Sequence, residues 1–360
     1  MFEIAARTFI HFQHNVVYAG NPFALYARNP LLQIGPPSWL PVAAFQWASP
    51  HTVNQGFGIV MVLLGLGAVA AVEGIAVSAH PDLTARRRLS MLLVLGGGVM
   101  VMWGYNIGRW HHLDDVIGLT FTAYGCWLIQ RRKAWWLIGI FIGTAVAAKP
   151  WAIILTPVLI GLPREARSKA TLATIVVAGA WWAPFILGSS GTIHALGSYP
   201  IPVHQGSVLW LFGLRGDVQH WLRPVQFLGG LALGVLIAKR ASMAWLAAPL
   251  GALAFRVITD PFIWSYYGMG PVLFAFVWDM ARGRGRQRWP LYTVATLAVE
   301  GLLPWLPIVI ARQSFSAWAL AVEWSKLAWG LAVIAGLLIE TRCEDERGTP
   351  LPARLAASAV

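Results

Sequence analysis

Long apolar segments that carry almost no charge constrain the fold of this chain more than any other feature. The segment Val53–Ala79, for example, contains one charged side chain, Glu73. Of the 360 residues, 57% are hydrophobic and only 12% are charged, and the mean hydropathy is +0.61. A soluble domain of this size needs more polar surface than such a composition provides. The sequence therefore predicts an all-α fold, a polytopic transmembrane helical bundle.

About eleven apolar segments approach the roughly 20 residues that one crossing of a bilayer requires. They lie at 53–79, 89–107, 116–129, 134–148, 151–162, 170–187, 224–238, 243–258, 267–278, 291–310 and 317–339. The shortest of them indicate that part of the bundle is thinned or tilted. The chain then divides into an interfacial segment (1–52), a transmembrane bundle (53–339) and a polar tail (340–360) that we expect to be cytosolic and poorly ordered. Only Cys126 and Cys343 are present, so no disulfide framework is expected.

Basic residues follow every second apolar segment, and this pattern predicts the topology. They lie at 86–88, 131–133, 164–169, 239–240, 282–288 and 342–354. Cytoplasmic loops retain Lys and Arg, so these connections are assigned to the cytosol of a multi-pass plasma-membrane protein. The net charge of +12 then requires no nucleic-acid partner. Residues 1–52 and the longer connection 188–222 are placed on the extracytoplasmic face, so we expect an upstream transmembrane helix or an amino-terminal segment that crosses unaided.

Residues 108–115, with the sequence GRWHHLDD, concentrate charge between two predicted spans on the outer face. Ionisable groups at the end of a transmembrane segment indicate a functional site, because a bilayer does not solvate them. The candidate catalytic residues are Asp114, Asp115 and His112. The two carboxylates begin a predicted helix, so one of them can serve as a cap while the other takes part in chemistry, and the sequence does not distinguish them. A solvated polar loop is the alternative interpretation.

Cations that suit an anionic ligand are predicted on the same outer face. The candidates for binding a lipid phosphate are Lys149, Arg109, Arg256 and Arg215. Lys149 stands in the sequence KPW at an outer connection. Its alternative role is structural: the apolar part of the side chain lies against the membrane and the ammonium group reaches the water. His112 and a following carboxylate could also ligate a divalent cation such as Mg²⁺ or Mn²⁺, although the sequence assigns no definite set of metal ligands.

Several stretches of the sequence, taken in order, resemble the actinobacterial integral-membrane branch of the GT-C superfamily. They are VVYAGNPFALYARNPLLQIGPP at 16–37, HHLDDVIGLT at 111–120, GTAVAAKPWAIILTP at 143–157 and DPFIWSYY at 260–267. The resemblance implies an inverting glycosyltransferase that moves a sugar, expected to be mannose, from a polyprenyl-phosphate donor to an envelope glycolipid or glycan. The side chains expected to contact the substrates are Asn15, Tyr18, Tyr266 and Tyr267, the tyrosines because aromatic faces suit sugar stacking.

The first outer loop departs from the pattern of that family. The family's catalytic Asp precedes a Tyr there, whereas this chain has His14, Asn15, Val16 and Val17 before Tyr18. Either a carboxylate of the 108–115 region then takes the role of the base, or the chain is a catalytically altered subunit. The family's first transmembrane helix is also absent from this sequence.

Acidic residues within or beside the predicted spans favour a different function. A transporter or flippase of a lipid-linked sugar would use such groups for coupling ions, although the chain shows no paired internal repeats. The residues concerned are Glu73, Asp279, Glu300 and Glu323, of which Glu73 and Glu323 are expected to lie deepest.

Overall fold

A computed structural model describes the helices of the chain and several of their connections. The described residues are 22–28, 34–38, 40–41, 44, 53–82, 84–109, 112–197, 202–217, 219–261, 265–282, 290–302 and 315–346. Across these ranges the chain is helical and contains no β-strand, only an isolated antiparallel bridge between Pro202 and Asp217. The prediction of an all-helical membrane protein is confirmed at this level.

Ten helices of the described residues are numbered here in chain order. They are α1 (Val53–Ala79), α2 (85–109), α3 (Leu113–Gln130), α4 (Trp135–Ala148), α5 (Arg164–Gly188), α6 (Gln219–Ala238), α7 (Ala248–Thr259), α8 (Met269–Ala281), α9 (291–302) and α10 (Phe315–Glu346). Helices α2 and α9 each contain a π-helical stretch, Leu92–Gly96 and Leu297–Leu302. A 3₁₀ helix, Pro150–Gly161, connects α4 to α5.

Four helices are long and apolar enough to cross a membrane. They are Gly58–Ala79, Arg164–Gly188, Trp221–Ala238 and Ala317–Arg342. Each of the other predicted segments coincides with a helix over its described residues, but those helices are shorter or more polar. Residues 303–310 of the predicted segment 291–310 lie outside the described residues. By length and composition these four helices could span a membrane, while the total of eleven crossings stays a prediction.

The 3₁₀ helix Pro150–Gly161 shows how a short segment can still cover much of a bilayer. A 3₁₀ helix rises about 2.0 Å per residue and an α-helix about 1.5 Å. The 12 residues of this segment therefore extend about 24 Å, against about 18 Å if they formed an α-helix.

Helix α8 lies at the centre of the bundle. All 13 of its residues are buried, and α1, α7 and α9 are among the helices that pack against it. A helix that is buried on every side needs apolar residues on every side, and Asp279 is the only charged residue of α8. In contrast, α1, α5 and α10 expose large apolar side chains such as Leu66, Leu172 and Leu331, as helices that face lipid do.

Contacts between the connections show which of them lie at the same end of the bundle. At one end, His80 Nε2 lies 2.8 Å from the carbonyl oxygen of Ala281, which connects the end of α1 to the end of α8. At the other end, the early segment 34–38 packs against the end of α4, where the Gly35 N–H donates to the Ala148 carbonyl at 2.8 Å. This separation agrees with the predicted alternation of the connections.

The structure adds detail to the predictions for the acidic residues and the tail. The Glu73 side chain is 40% exposed and pairs with Arg88 of α2 at 3.2 Å. Glu323 is buried, as expected. The polar tail predicted to begin at 340 starts as helix, since α10 continues to Glu346 and the Glu340 carboxylate accepts hydrogen bonds from Arg282 and Tyr292.

Candidate functional site

The turn between α2 and α3 ends at His112, two residues before the first of the two adjacent carboxylates. The buried Asn106 amide fixes this turn: its Nδ2 donates to the His112 carbonyl at 3.4 Å, and its Oδ1 accepts from the His112 N–H at 3.3 Å. Asp114 and Asp115 lie in the first turn of α3, where the helix dipole favours negative charge. His112 occupies the cap position without a side-chain cap bond, so neither carboxylate is used as the helix cap.

Lys149 joins this group from the connection that follows α4. The proline after it disfavours a helical conformation, so α4 ends at Ala148 and Lys149 has an extended backbone with φ −142° and ψ 105°. Its Nζ donates to Asp114 Oδ2 and lies 3.2 Å from Asp115 Oδ2. The predicted meeting of the double carboxylate with this cation is therefore present in the structure.

The pairing decides the charge state of a nearly closed site. The side chains of Asp114, Asp115 and Lys149 are 0%, 4% and 12% exposed. Burial alone would raise the pKa of Asp114, but the Lys149 ammonium and His112 hold it at about 2. Burial alone would lower the pKa of Lys149, and the two carboxylates instead raise it above its ordinary value. Asp114 and Lys149 are therefore both charged at neutral pH.

An aromatic and cationic layer lies beside the carboxylates. Trp151 Nε1 donates to Asp115 Oδ1 at 3.0 Å. The Arg256 guanidinium lies 4.2 Å from the centre of the Trp151 ring and 4.7 Å from that of the Tyr267 ring. Tyr267 in turn interacts electrostatically with Lys149 and Asp115. These residues form one set, called here the carboxylate cluster: His112, Asp114, Asp115, Lys149, Trp151, Arg256 and Tyr267.

The cluster also contains atoms that could ligate a metal ion. Asp114 Oδ1 and Asp115 Oδ2 are both buried and accept no hydrogen bond from the described residues, although Asp115 Oδ2 lies within ion-pair distance of Lys149. His112 Nδ1 lies 3.4 Å and 3.8 Å from these two oxygens. A divalent cation could use this set of ligands, but it would have to approach the Lys149 ammonium on the same carboxylates.

Other predicted site residues are not part of the carboxylate cluster or cannot be placed in it. Arg215 lies over the Trp210 ring at 3.5 Å and donates to the carbonyls of Trp210 and Leu214 at 2.8 Å, so its own loop supplies its partners. Arg109 belongs to the last turn of α2, but its side chain falls outside the described part of the structure. The same is true of the Tyr266 side chain, and Asn15 and Tyr18 lie outside the described residues.

Sequence reasoning missed two features of this end of the bundle. It did not identify Trp151 as a hydrogen-bond donor to a carboxylate. It also overlooked Lys326 of α10, whose Nζ lies 3.2 Å from Glu300 Oε2 with both side chains buried. A signal for Lys326 was available, because a Lys within an apolar segment indicates a functional or paired position.

Comparisons with models of known protein families, with curated proteins and with solved structures give no match to this chain. The chemistry of the site must therefore be inferred from its geometry. The carboxylate cluster combines a proton acceptor, two cations and aromatic faces in one place.

Proposed function

We propose that the chain is a membrane glycosyltransferase that moves a sugar, expected to be mannose, from a polyprenyl phosphate to an envelope glycolipid or glycan with inversion. The observation that supports this best is the ion pairing of Lys149 with Asp114 and Asp115, beside Arg256 and the Trp151 and Tyr267 rings. Transfer of this kind needs an oriented hydroxyl, a proton acceptor and positive charge near the departing phosphate. The carboxylate cluster can supply all three.

His112 is the proton acceptor in this proposal. Asp114, with a pKa of about 2, is a weak base for an alcohol, and its side chain is fully buried. The His112 side chain is 18% exposed, and its Nδ1 faces both carboxylates. A carboxylate behind an imidazole orients the ring and stabilises the imidazolium that forms. Asp114 and Asp115 therefore act through His112 as positioning residues.

The reaction step balances with these groups. The acceptor hydroxyl oxygen forms a bond to the anomeric carbon of the sugar while its proton passes to His112. The bond between the anomeric carbon and the phosphate oxygen breaks, and its electron pair leaves with the polyprenyl phosphate. The proton on His112 adds one positive charge to the cluster at that moment, which favours the negative charge that develops on the phosphate near Lys149 and Arg256.

A second candidate function, transport or flipping of a lipid-linked sugar, is supported by a different observation. Lys326 and Glu300 form an ion pair at 3.2 Å with side chains 6% and 1% exposed. Glu300 lies in the π-helical part of α9, and such stretches are frequent at functional sites. A buried acid of this kind can couple substrate movement to an ion.

One experiment separates the two functions. The purified chain is reconstituted in proteoliposomes with radiolabelled mannosyl polyprenyl phosphate and a glycolipid acceptor. The transferase predicts a labelled product, formed about 10²- to 10⁴-fold more slowly by His112→Ala. His194→Ala, which changes an exposed histidine of the helix Gly191–Gly197, is the control and should retain full activity. Movement of label across the membrane without product would support the transporter instead, and the absence of both would contradict both functions.

A further inference from the structure

A group of exposed cations lies at the opposite end of α3 from the carboxylate cluster. It is called here the basic surface: Arg131, Arg132 and Lys133, which follow the last turn of α3, and Arg164, which begins α5. Helix α3 has 18 residues and is therefore about 27 Å long, close to the thickness of the hydrocarbon core of a bilayer. The carboxylate cluster and the basic surface thus fit opposite interfaces of a membrane.

Close packing of α4 against α5 brings the two basic connections together. A Cβ atom at Gly139 would overlap Ala173 of α5. One turn later, a Cβ atom at Gly143 would lie 2.8 Å from Val177 Cβ. The two helices therefore run side by side in the same direction, which places 131–133 near the first turn of α5. The tendency of cytoplasmic connections to be basic explains each group of cations, but not why two groups meet.

The turn after α3 keeps an arginine where a glycine fits better. The Lys133 N–H donates to the Leu128 carbonyl and the Arg132 N–H to the Ile129 carbonyl, both at 3.0 Å, as in a Schellman motif. Arg132 takes the left-handed position of this motif with a φ of 50°, and it is the one non-glycine residue of the described chain with positive φ. A residue with a Cβ atom is disfavoured there, so its presence indicates a use for the guanidinium.

The protein leaves much of this positive charge unpaired. The side chains of Arg131, Lys133 and Arg164 are exposed and form no ion pair with the described residues. Lys169, one turn further along α5, differs because it pairs with Glu165 at 2.7 Å. The basic surface therefore suits an anionic ligand, and its guanidinium groups match the geometry of a phosphate.

Two exposed tryptophans place the basic surface at the level of lipid headgroups. Trp135 and Trp136 begin α4 and are 39% and 51% exposed. Indole rings concentrate at the boundary between headgroups and acyl chains. The cations that immediately precede these rings then lie at the level of the lipid phosphates, where clusters of Lys and Arg attract anionic lipids.

We propose that the basic surface binds the headgroup phosphate of an anionic phospholipid, with Trp135 and Trp136 against its acyl chains. The topology assigns this end of the bundle to the cytosol, so the lipid belongs to the inner leaflet. The binding involves no residue of the carboxylate cluster and does not depend on the proposed sugar transfer.

The test measures binding of dioleoylphosphatidylglycerol to the purified full chain in detergent micelles, with dioleoylphosphatidylcholine as the balancing lipid. Thermal unfolding reports the affinity, because a ligand that binds only the folded state raises the unfolding temperature. The double variant Lys133→Gln with Arg164→Gln should weaken the affinity about tenfold to thirtyfold, since each cation near an anionic lipid adds to the attraction. Its unfolding in phosphatidylcholine alone should not change, because both side chains are exposed.

The matched control is the double variant Arg86→Gln with Lys239→Gln. It removes the same amount of charge from exposed positions in other basic connections and should keep the wild-type affinity. Arg132→Gly is a second test variant: it should weaken binding about threefold to fivefold, while unfolding without phosphatidylglycerol stays the same or shifts to a higher temperature, because glycine suits the left-handed position.

Each outcome of this test decides the assignment. Stabilisation by phosphatidylglycerol that the basic-surface variants weaken and the control retains supports it. Equal stabilisation by the two lipids overturns it, and so does equal weakening by the control, which would indicate general attraction to the net charge. Stabilisation by inorganic phosphate in place of the lipid would also overturn it. Arg132→Gly that lowers the unfolding temperature without lipid would contradict the role given to that side chain.

Discussion

Lys149 donates a hydrogen bond to Asp114, a residue 35 positions earlier in the chain, inside a cluster that is nearly closed to solvent. The contact connects the first turn of α3 to the residue that ends α4. It brings a cation to two adjacent carboxylates at one end of a membrane bundle. Stability, pH dependence and metal binding of the chain should all depend on this pair.

Removal of Lys149 should destabilise the fold strongly. Lys149→Met leaves two buried carboxylates without their cation, and breaking a buried pair costs about 3–5 kcal/mol. The double variant Lys149→Met with Asp114→Asn should lose less than the sum of the two single variants, because the two residues interact directly. Thermal unfolding in detergent measures all three. Strictly additive losses would contradict the pairing, and Lys169→Met, which breaks an exposed pair with Glu165, should have no measurable effect.

The stability contributed by this pair should depend on pH in a defined direction. The folded pKa of Asp114, about 2, lies below its ordinary value of 3.8, so its contribution is complete above that value and is lost as the pH falls toward 2. The folded pKa of Lys149 is raised, so its contribution is lost only as the pH rises above 10.5. The difference in unfolding temperature between the wild type and Asp114→Asn should be constant near neutral pH and shrink below about pH 4. A difference that persists unchanged to pH 2 would count against the ion pair.

The sequence predicted the helices and the residues at their ends better than the contacts between helices. Apolar segments and basic connections indicated which ends lie together, and this placed Lys149 near Asp114 and Asp115. Hydropathy does not determine how helices rotate against each other, so the hydrogen bond from Trp151 and the ion pair between Lys326 and Glu300 could not be predicted. The partner of Glu73 could not be predicted for the same reason, because only the packing of α1 against α2 reveals Arg88 in that position.

The early segment should be sensitive to a single added methyl group. A Cβ atom at Gly35 would overlap the Ala147 carbonyl oxygen, next to the hydrogen bond from Gly35 to Ala148. Gly35→Ala should therefore lower the free energy of unfolding by about 1–3 kcal/mol. It should also reduce sugar transfer, because Ala147 and Ala148, which Gly35 contacts, immediately precede Lys149 in the sequence. Gly179→Ala is the control, since a Cβ there meets nothing within 4 Å, and it should maintain stability or raise it slightly. Equal unfolding temperatures for the two variants would contradict the close packing of this segment.

Metal binding should increase when the internal cation is removed. In Lys149→Ala, His112 Nδ1 and the two carboxylates remain within 4.8 Å of one another without the competing ammonium. We expect this variant to bind Mn²⁺ at least about tenfold more tightly than the wild type, as removal of a like charge from the site predicts. Electron paramagnetic resonance of free Mn²⁺ measures the affinities. Equal affinities would mean that Lys149 does not compete for the carboxylates, and Asp115→Asn added to Lys149→Ala should abolish the gain.

Sugar transfer by the double variant Lys149→Met with Asp114→Asn tests the central claim most directly. The variant removes both charges of the hydrogen-bonded pair and leaves one buried carboxylate, Asp115, which keeps its hydrogen bond from Trp151, so it should unfold at a lower temperature than the wild type but remain folded. The account predicts that radiolabelled mannose transfer from mannosyl polyprenyl phosphate in proteoliposomes falls at least about 100-fold, while thermal unfolding still shows a cooperative folded state. Transfer at the wild-type rate by this folded variant would contradict the assignment of the carboxylate cluster as the site of the reaction.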